Sequence, residues 1–377
     1  MTGVQTCALP ISQGRKWLAF GEKLLWREFA EQVLSDGGHY ERSTMYHALC
    51  LADFLECYAL IQAFSEEGKW ASFALRTKDV ATKLKAMASF LQMMSYADDS
   101  LALFNDSGNS DEARPFPLLE TAQWILREAP VSNTQSFPET GYFIWQSADQ
   151  SDHLIVDGGV PAVHYNLAHA HCDLLSYELR LGGHPFIVDS GVHGYGGDPY
   201  REYSRSTRAH NTVMFDEQEQ SEVWDTFRMG RTALPVRAAV QGSAAEWEFC
   251  GAYRSSQDQS FEHERRIRID ADGSFVIEDR VTKGQPQQAR SYIHLHPMVN
   301  AIFQTDGGRK VICKFSSQII QIEPYNECDA LLVTGSLSPI QGWYFPDFGV
   351  AQASPTICFT YQVSKAQLFG YRIRKLQ

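Results

Sequence analysis

The spacing of apolar residues changes near residue 135, and this change constrains the fold more than any other feature of the sequence. Before it, apolar residues recur every three to four positions, which is typical of amphipathic helices. The spacing predicts helices over Trp17–Leu34, Ser43–Phe64, Lys78–Tyr96 and Leu118–Arg127. Ser43 is a plausible N-cap, Asp36-Gly37-Gly38 a helix stop, and Asn105–Pro117 a loop.

After residue 135, short β-rich segments alternate with Gly, Asp, Ser or Pro. These segments are 142–145, 153–156, 176–181, 185–188, 212–215, 275–278, 291–296, 311–315, 319–322, 330–334 and 356–362. Many short strands with frequent turns indicate an antiparallel sandwich rather than a parallel sheet. We therefore predict an α+β multidomain chain, with a helical domain at 12–134 and an antiparallel β-sandwich domain at 135–377.

The first eleven residues fit nothing that follows them. MTGVQTCALPI has neither a basic segment nor an apolar run, so it is not a signal peptide. It resembles the translation of a common sequencing adapter, and we interpret residues 1–11 as a non-native leader. The alternative is an ordinary N-terminal tail.

Composition excludes several classes of function. The net charge of −12 argues against bulk binding of nucleic acid or an anionic membrane, although a local basic cleft could still hold an acidic sugar. The apolar runs are too short for a membrane span. The eight cysteines form no CxxC pair and indicate neither a disulfide framework nor a zinc knuckle. Composition leaves the compartment and the oligomeric state open.

The segment AHAHCDLLSYEL, which begins at Ala168, carries the most chemistry. His169, His171 and Asp173 alternate with small apolar residues, so an extended strand would place all three on one face. Two imidazoles and a carboxylate on one face suit a metal site, a proton transfer, or both. The alternative is a polar strand face with solvated histidines.

Four segments in order carry a resemblance to a known family. They are DGGHYERSTMYH (36–47), AHAHCDLLSYEL (168–179), PFIVDSG (185–191) and STRAHNTV (206–213). Together they resemble the heparinase II/III-like polysaccharide lyases. That resemblance implies an α/α-toroid, incomplete here, before a β-sandwich, and cleavage of uronate-containing polysaccharides by β-elimination. It also implies a zinc ion in the sandwich and a periplasmic or secreted location.

The resemblance also implies roles for single residues. Tyr46 and His169 would be catalytic acid/base groups, and His171, Asp189 and His210 would bind zinc of a structural kind. Without the family, a core aromatic against Cys50 would be the preferred interpretation of Tyr46, and the zinc set could be buried polar groups without metal. Asp173 would orient one of the histidines, and His39 and His47 are weaker candidates.

The stretch between Asp189 and His210 is rich in aromatic and basic residues. Rings can stack on sugars, and arginines can pair with carboxylate or sulfate. We predict substrate contacts for Tyr195, Tyr203, Arg205 and Arg208, with a solvated loop as the alternative.

One feature departs from the family. The Asn or Asn-His that neutralises the uronate carboxylate should precede Tyr46, yet no asparagine or histidine lies between Ser12 and His39. We therefore expect this chain alone to have negligible lyase activity and to leave apolar helix faces uncovered.

Two rival functions remain. One is a non-catalytic protein of an exopolysaccharide pathway that binds acidic glycan. The other is a cupin-like metalloenzyme, which would leave the helical half unexplained.

Overall fold

The computed structural model describes residues 11–65, 77–129, 136–242, 246–258, 260–304 and 309–376. The predicted leader at 1–11 lies almost wholly outside the described residues. So does the predicted domain boundary at 134/135.

In the first part of the chain, the described residues form four long helices. They are α1 (Ile11–Gln32), α2 (Thr44–Ser65), α3 (Thr77–Met93) and α4 (Pro115–Leu126). The Ser43 hydroxyl accepts a 3.2 Å hydrogen bond from the backbone N–H of Tyr46, which confirms the predicted N-cap of α2. Ala48, Leu51 and Leu55 of α2 are buried in the helical core.

Two of these helices, α1 and α2, carry apolar residues in unusual number or position. By length and composition alone, Thr44–Phe64 in α2 could cross a membrane, but its buried leucines are typical of a core helix. On α1, Trp17 and Phe20 are 53% and 68% exposed. Two large apolar side chains of α1 are therefore exposed among the residues that the structure describes.

Strands dominate the rest of the chain, with one short helix, α5 (Pro199–Arg205). They are β1 (Ser136–Phe137), β2 (Tyr142–Gln146), β3 (His153–Asp157), β4 (Tyr177–Leu181), β5 (His184–Ile187), β6 (Val213–Phe215), β7 (Leu234–Gln241), β8 (Glu248–Arg254), β9 (Glu262–Ile269), β10 (Phe275–Lys283), β11 (Gln288–His294), β12 (Asn300–Phe303), β13 (Val311–Phe315), β14 (Gln318–Pro324), β15 (Asp329–Thr334), β16 (Ser336–Leu337), β17 (Ile340–Gln341), β18 (Trp343–Tyr344), β19 (Gln352–Ala353), β20 (Pro355–Gln362) and β21 (Leu368–Lys375).

The strands form three main sheets in which neighbouring strands are antiparallel. The orders are β1-β2-β3-β4-β5, β12-β13-β14-β21-β10-β9-β8-β7 and β15-β20-β11-β6, and β16-β17 and β18-β19 are two-stranded ribbons. One apolar core runs between the sheets and includes Trp247, Phe249, Ile293 and Phe359. The predicted antiparallel sandwich is confirmed.

The helical part and the sandwich pack directly on each other. Phe90 and Met94, at the end of α3, share a buried cluster with Phe137, Tyr142 and Ile155 of the five-stranded sheet. The 34–43 loop adds polar contacts to this junction, because Arg42 Nε donates a 3.0 Å bond to the Thr140 carbonyl and the Thr140 hydroxyl donates a 2.6 Å bond to Asp36. The two halves therefore meet beside the segment that carries Tyr46.

Gly37 in this loop has no room for a side chain. Its φ is +93°, and an added Cβ would lie 2.5 Å from the carbonyl carbon of Ala86. We expect Gly37→Ala to lower the free energy of unfolding by about 2 kcal/mol or more, because it adds both a clash and backbone strain. Denaturant unfolding would measure this. The control is Gly21→Ala on α1, where a Cβ meets nothing within 4 Å; equal stability of the two variants would mean that the loop simply shifts.

One predicted strand is wrong. The structure has no strand over residues 168–176, and β4 begins only at Tyr177. The backbone over residues 168–174 is bonded to side chains and to backbone outside the strands instead of to a neighbouring strand. Asn105 Oδ1 accepts a 3.0 Å bond from the His171 N–H, and Arg205 Nε donates a 3.1 Å bond to the Ala170 carbonyl. Leu175, with φ at 63°, then turns the chain into β4.

Candidate active site and metal centre

Tyr46 and His169 lie face to face at the junction of the two halves. Their ring centroids are 4.1 Å apart and their planes differ by 11°. The first turn of α2 presents Tyr46, whereas the irregular 168–176 segment presents His169. The Tyr46 hydroxyl is 2.8 Å from the hydroxyl of Tyr195. The structure therefore brings together two predicted catalytic residues and one predicted substrate-binding residue.

Glu41 fixes the orientation of His169. Its Oε2 atom is 2.6 Å from His169 Nδ1, and its Oε1 atom accepts a 2.7 Å bond from Asn166. Burial opposes ionisation of Glu41, but the bond from His169 and the nearby imidazoles leave the pKa of its carboxyl below the usual value. An ionised carboxylate can only accept, so Nδ1 carries a proton and Nε2 is left for exchange with a substrate.

The two tyrosine hydroxyls are protonated in this state. Burial raises the pKa of Tyr46, and burial with the charge of Asp106 raises that of Tyr195 well above the usual value. The Arg201 guanidinium, 5.2 Å from the centre of the Tyr195 ring, acts in the opposite direction. The pair is therefore suited to donate a proton and to accept it back.

A second cluster lies deeper in the interior. His171, Asp173 and His210 are fully buried, and one ligand atom from each lies within 4.8 Å of the others. The side-chain atoms His171 Nδ1, Asp173 Oδ1 and His210 Nε2 have no hydrogen-bond partner. Buried polar atoms without a partner are costly, so three of them converging on one point indicate a missing ligand.

The hydrogen bonds made by His171 and His210 suit a metal site. Asp106 Oδ1 is 2.7 Å from His171 Nε2, and Asp189 Oδ2 is 2.8 Å from His210 Nδ1. Each carboxylate accepts, so the opposite nitrogen of each ring keeps its lone pair when the ring is neutral, as in metal-binding histidines whose other nitrogen is held by a carboxylate. Burial opposes the charge on His210, but Asp189 raises the pKa of its ring, so metal binding there would release a proton. Burial lowers the pKa of His171 to about 4, so its ring is neutral. Two imidazoles and one carboxylate with room for water form a donor set that zinc accepts.

Asp173 and Asp189 occupy positions in the structure that differ from those predicted from the sequence. Asp173 takes part in the converging set, whereas Asp189 bonds the far side of His210. Asp173 Oδ2 accepts a 3.3 Å bond from the Asn105 N–H and bonds neither His169 nor His171.

Arg201 and Asp106 connect the two clusters. Arg201 forms a two-pronged ion pair with Asp106, with Nη2 2.9 Å from Oδ2, while its guanidinium lies over the Tyr195 ring. Burial alone would raise the pKa of Asp106, but His171 and Arg201 keep it below its usual value. One carboxylate thus contacts His171 of the converging cluster and the cation that lies over the Tyr195 ring.

The other predicted substrate residues lie elsewhere. Tyr203 and Arg205 are each 1% exposed. The Tyr203 hydroxyl lies 3.3–3.4 Å from Ser190 and His294, and Arg205 donates to backbone carbonyls. They therefore hold loops in place instead of facing the cleft. Arg208 lines a groove of about 500 Å³ beside Arg290 and Tyr292, on the outer face of the four-stranded sheet.

The two weaker histidine candidates are structural in this fold. His39 and His47 are buried, and burial lowers their pKa values to about 4 and about 3. Sequence reasoning missed Glu41, Asp106 and the role of Arg201. The only sequence feature that could have pointed to Glu41 is its position inside the DGGHYERSTMYH segment. Asp106 lies in a predicted loop, and no sequence feature pointed to it.

Two family models cover most of the chain. The model described as "Heparinase II/III N-terminus" matches residues 6–124, and the one described as "Heparinase II/III-like, C-terminal" matches residues 129–371. The chain belongs to the heparinase II/III family. The resemblance of the four sequence segments is therefore confirmed.

Curated relatives are similar over part of their length. A heparin-sulfate lyase of Pedobacter heparinus is 26% identical over 223 residues, which are 54% of this chain and 32% of that protein. A heparin-sulfate lyase of Bacteroides stercoris is 20% identical over 301 residues, which are 74% of this chain and 41% of that protein. The chain thus spans less than half the length of these relatives.

Solved structures share the fold. A heparan sulfate lyase of Pedobacter heparinus superposes with a TM-score of 0.73 at 19% identity, over 96% of this chain and 56% of that one. A structure of heparinase III gives 0.70 at 17% identity, over 96% and 57%. The predicted architecture, part of an α/α-toroid followed by a β-sandwich, is confirmed.

Proposed function

We propose that this chain is part of a polysaccharide lyase that cleaves an acidic, uronate-containing glycan by β-elimination. The observation that carries the proposal is the Tyr46–His169 stack, with Glu41 behind the imidazole and Tyr195 beside the phenol. Two groups able to transfer protons come from opposite halves of the protein and stack on each other. The heparin-sulfate lyases among its relatives support a sulfated glycosaminoglycan as the substrate class.

The reaction moves two protons and breaks one carbon–oxygen bond. A base takes the C5 proton of the uronate, the electron pair forms the C4=C5 double bond, and the C4–O4 bond breaks. An acid then protonates O4 of the leaving sugar. Tyr46 and His169 Nε2 are the two groups placed to exchange these protons. A further group must neutralise the uronate carboxylate in the transition state.

The converging histidine–aspartate cluster would hold a zinc ion. His171 Nδ1, Asp173 Oδ1 and His210 Nε2 would be its ligands, with Asp106 and Asp189 fixing the two rings. When bound, the ion supplies a cross-link between the 168–176 segment and the turn that carries His210. Full burial of all three ligands supports a structural role.

An assay for the unsaturated uronate tests the proposal. Heparan sulfate is incubated with a protein that carries this chain, and the ultraviolet absorbance of the C4=C5 product is followed. Rising absorbance supports a lyase. Glycan binding without any new absorbance would favour the non-catalytic acidic-glycan-binding alternative. The same assay on this chain alone tests the expectation that it has negligible activity, which ordinary enzyme rates would contradict.

Glu41→Gln should lower turnover by roughly 10- to 1000-fold with little change in KM. The substitution removes the charge beside His169 and leaves one oxygen to serve two donors, His169 and Asn166. Steady-state kinetics on heparan sulfate would measure it. Glu56→Gln, on the exposed side of α2, is the matched control. Equal kinetic constants for the two variants would show that Glu41 does not position His169.

A further inference from the structure

A hairpin beside the cleft has no role in the chemistry described so far. Residues 222–231, here called the 222–231 hairpin, are closed by backbone bonds between Glu222 and Arg231 (2.9 Å) and between Trp224 and Arg228 (3.1 Å). The Phe227 ring lies 5.4 Å from the Tyr195 ring, measured between centroids. Because the Tyr195 hydroxyl bonds that of Tyr46, the Tyr195 ring lies between the hairpin and the proposed catalytic pair.

The hairpin presents two large aromatic side chains to solvent. Trp224 is 69% exposed and Phe227 is 45% exposed. Neighbouring exposed aromatic residues at the edge of a cleft are typical of a ligand-binding surface. The flat apolar face of a pyranose ring is a suitable partner for such rings, because tryptophan offers a wide, rigid contact area at low conformational cost.

The hairpin is held rigidly by buried cations. Arg201 donates bonds of 3.0 and 2.8 Å to the Thr226 carbonyl, and Arg205 donates to the carbonyls of Asp225 and Arg228. Both guanidinium groups are almost fully buried. The tip of the hairpin is therefore tied to the same arginine that lies beneath Tyr195.

Gly230 fixes the position of the indole. A Cβ at Gly230 would lie 2.5 Å from the Trp224 ring, so the ring packs directly on the glycine backbone. A side chain held in one place loses little entropy when a ligand stacks on it. The exposed Trp224 ring is thus preorganised for binding.

The charge of the hairpin suits an acidic ligand. Arg228 is exposed, and its side chain forms no ion pair with any residue that the structure describes. The neighbouring Asp225 carboxylate instead accepts from the Thr226 N–H. Arg228 follows Phe227 in the sequence, and its exposed guanidinium can pair with a sulfate or carboxylate. It also attracts the neighbouring Asp225 carboxylate.

We propose that the 222–231 hairpin is a subsite for the acidic glycan, with sugar rings stacked on Phe227 and Trp224 and an anionic group on Arg228. This inference rests on the proposed function and adds a second contact region, away from the bond that is cut. A glycan that contacts both the catalytic pair and the hairpin gains affinity from the added stacking.

Calorimetric binding of heparan sulfate octasaccharide to this chain tests the subsite. We expect Trp224→Ala and Phe227→Ala each to weaken binding by about three- to tenfold, the range of one aromatic contact. Trp224→Phe keeps a ring and should recover most of the affinity. Trp124→Ala on α4, where Trp124 is 79% exposed, is the matched control and should bind like the unaltered chain. Thermal melting of each variant separates lost binding from lost folding.

The outcomes distinguish the two proposals. If the unaltered chain binds the octasaccharide and Trp224→Ala binds it equally well, the subsite is wrong and the proposed function stands. If the unaltered chain binds no octasaccharide, the acidic-glycan function itself is contradicted and the subsite with it. If Trp124→Ala weakens binding as much as Trp224→Ala, the loss is not specific to the hairpin and the subsite is again wrong.

Discussion

In a full-length protein that carries this chain, replacing Tyr46 with phenylalanine should lower lyase turnover by roughly 10²–10⁴-fold, the usual contribution of a general acid or base. The change removes only the hydroxyl that bonds Tyr195, while the ring keeps its stack on His169. Folding should therefore survive, and KM should change little. Steady-state kinetics on heparan sulfate, with thermal melting of the same samples, would measure both effects.

Tyr58→Phe on the same helix is the matched control. Tyr58 is buried, and its hydroxyl bonds Gln62 rather than any residue of the cleft. It should lose little turnover. A Tyr46→Phe protein with near-normal turnover would exclude the tyrosine from the mechanism and leave the interpretation of Tyr46 as a core aromatic.

Removing the metal should destabilise the sandwich strongly. Purified protein is expected to contain one zinc ion per chain by elemental analysis, and a chelator should lower the melting temperature by roughly 5–15 °C. Without the ion, His171, Asp173 and His210 keep unpaired polar atoms in a fully buried site. His210→Ala should reproduce most of this loss and abolish zinc binding.

His184→Ala provides the comparison, because His184 is exposed at the start of β5. It should change neither the zinc content nor the melting temperature. A metal-free protein that melts at the same temperature with and without chelator would contradict the zinc proposal. The cluster would then consist of buried polar groups without metal.

Local patterns in the sequence were enough for the architecture. The helix N-cap at Ser43 depends on neighbouring residues, so the sequence predicts it directly. The false strand over His169–Leu174 shows the limit of such patterns. Its alternation is real, but Asn105 and Arg205, both distant in sequence, bond its backbone and exclude a partner strand.

The site residues that escaped prediction depend on contacts across the whole chain. Glu41 meets His169 across 128 positions, and Asp106 meets Arg201 across 95. Spacing within a segment carries no information about such pairs. Residue type was also ambiguous, because Arg205 can serve a sugar or a backbone carbonyl equally well, and only its burial decides for the carbonyl.

Asp106 makes the two halves of the chain dependent on each other for their charge balance. It comes from the segment between α3 and α4, whereas its partners His171 and Arg201 come from the sandwich half. A sandwich separated from the helices would hold an unbalanced guanidinium at its surface and an unanchored imidazole. The carboxylate that would fix His171 in the proposed metal centre is therefore supplied only by docking, and we expect the affinity for zinc to report whether the two halves of a given molecule have assembled.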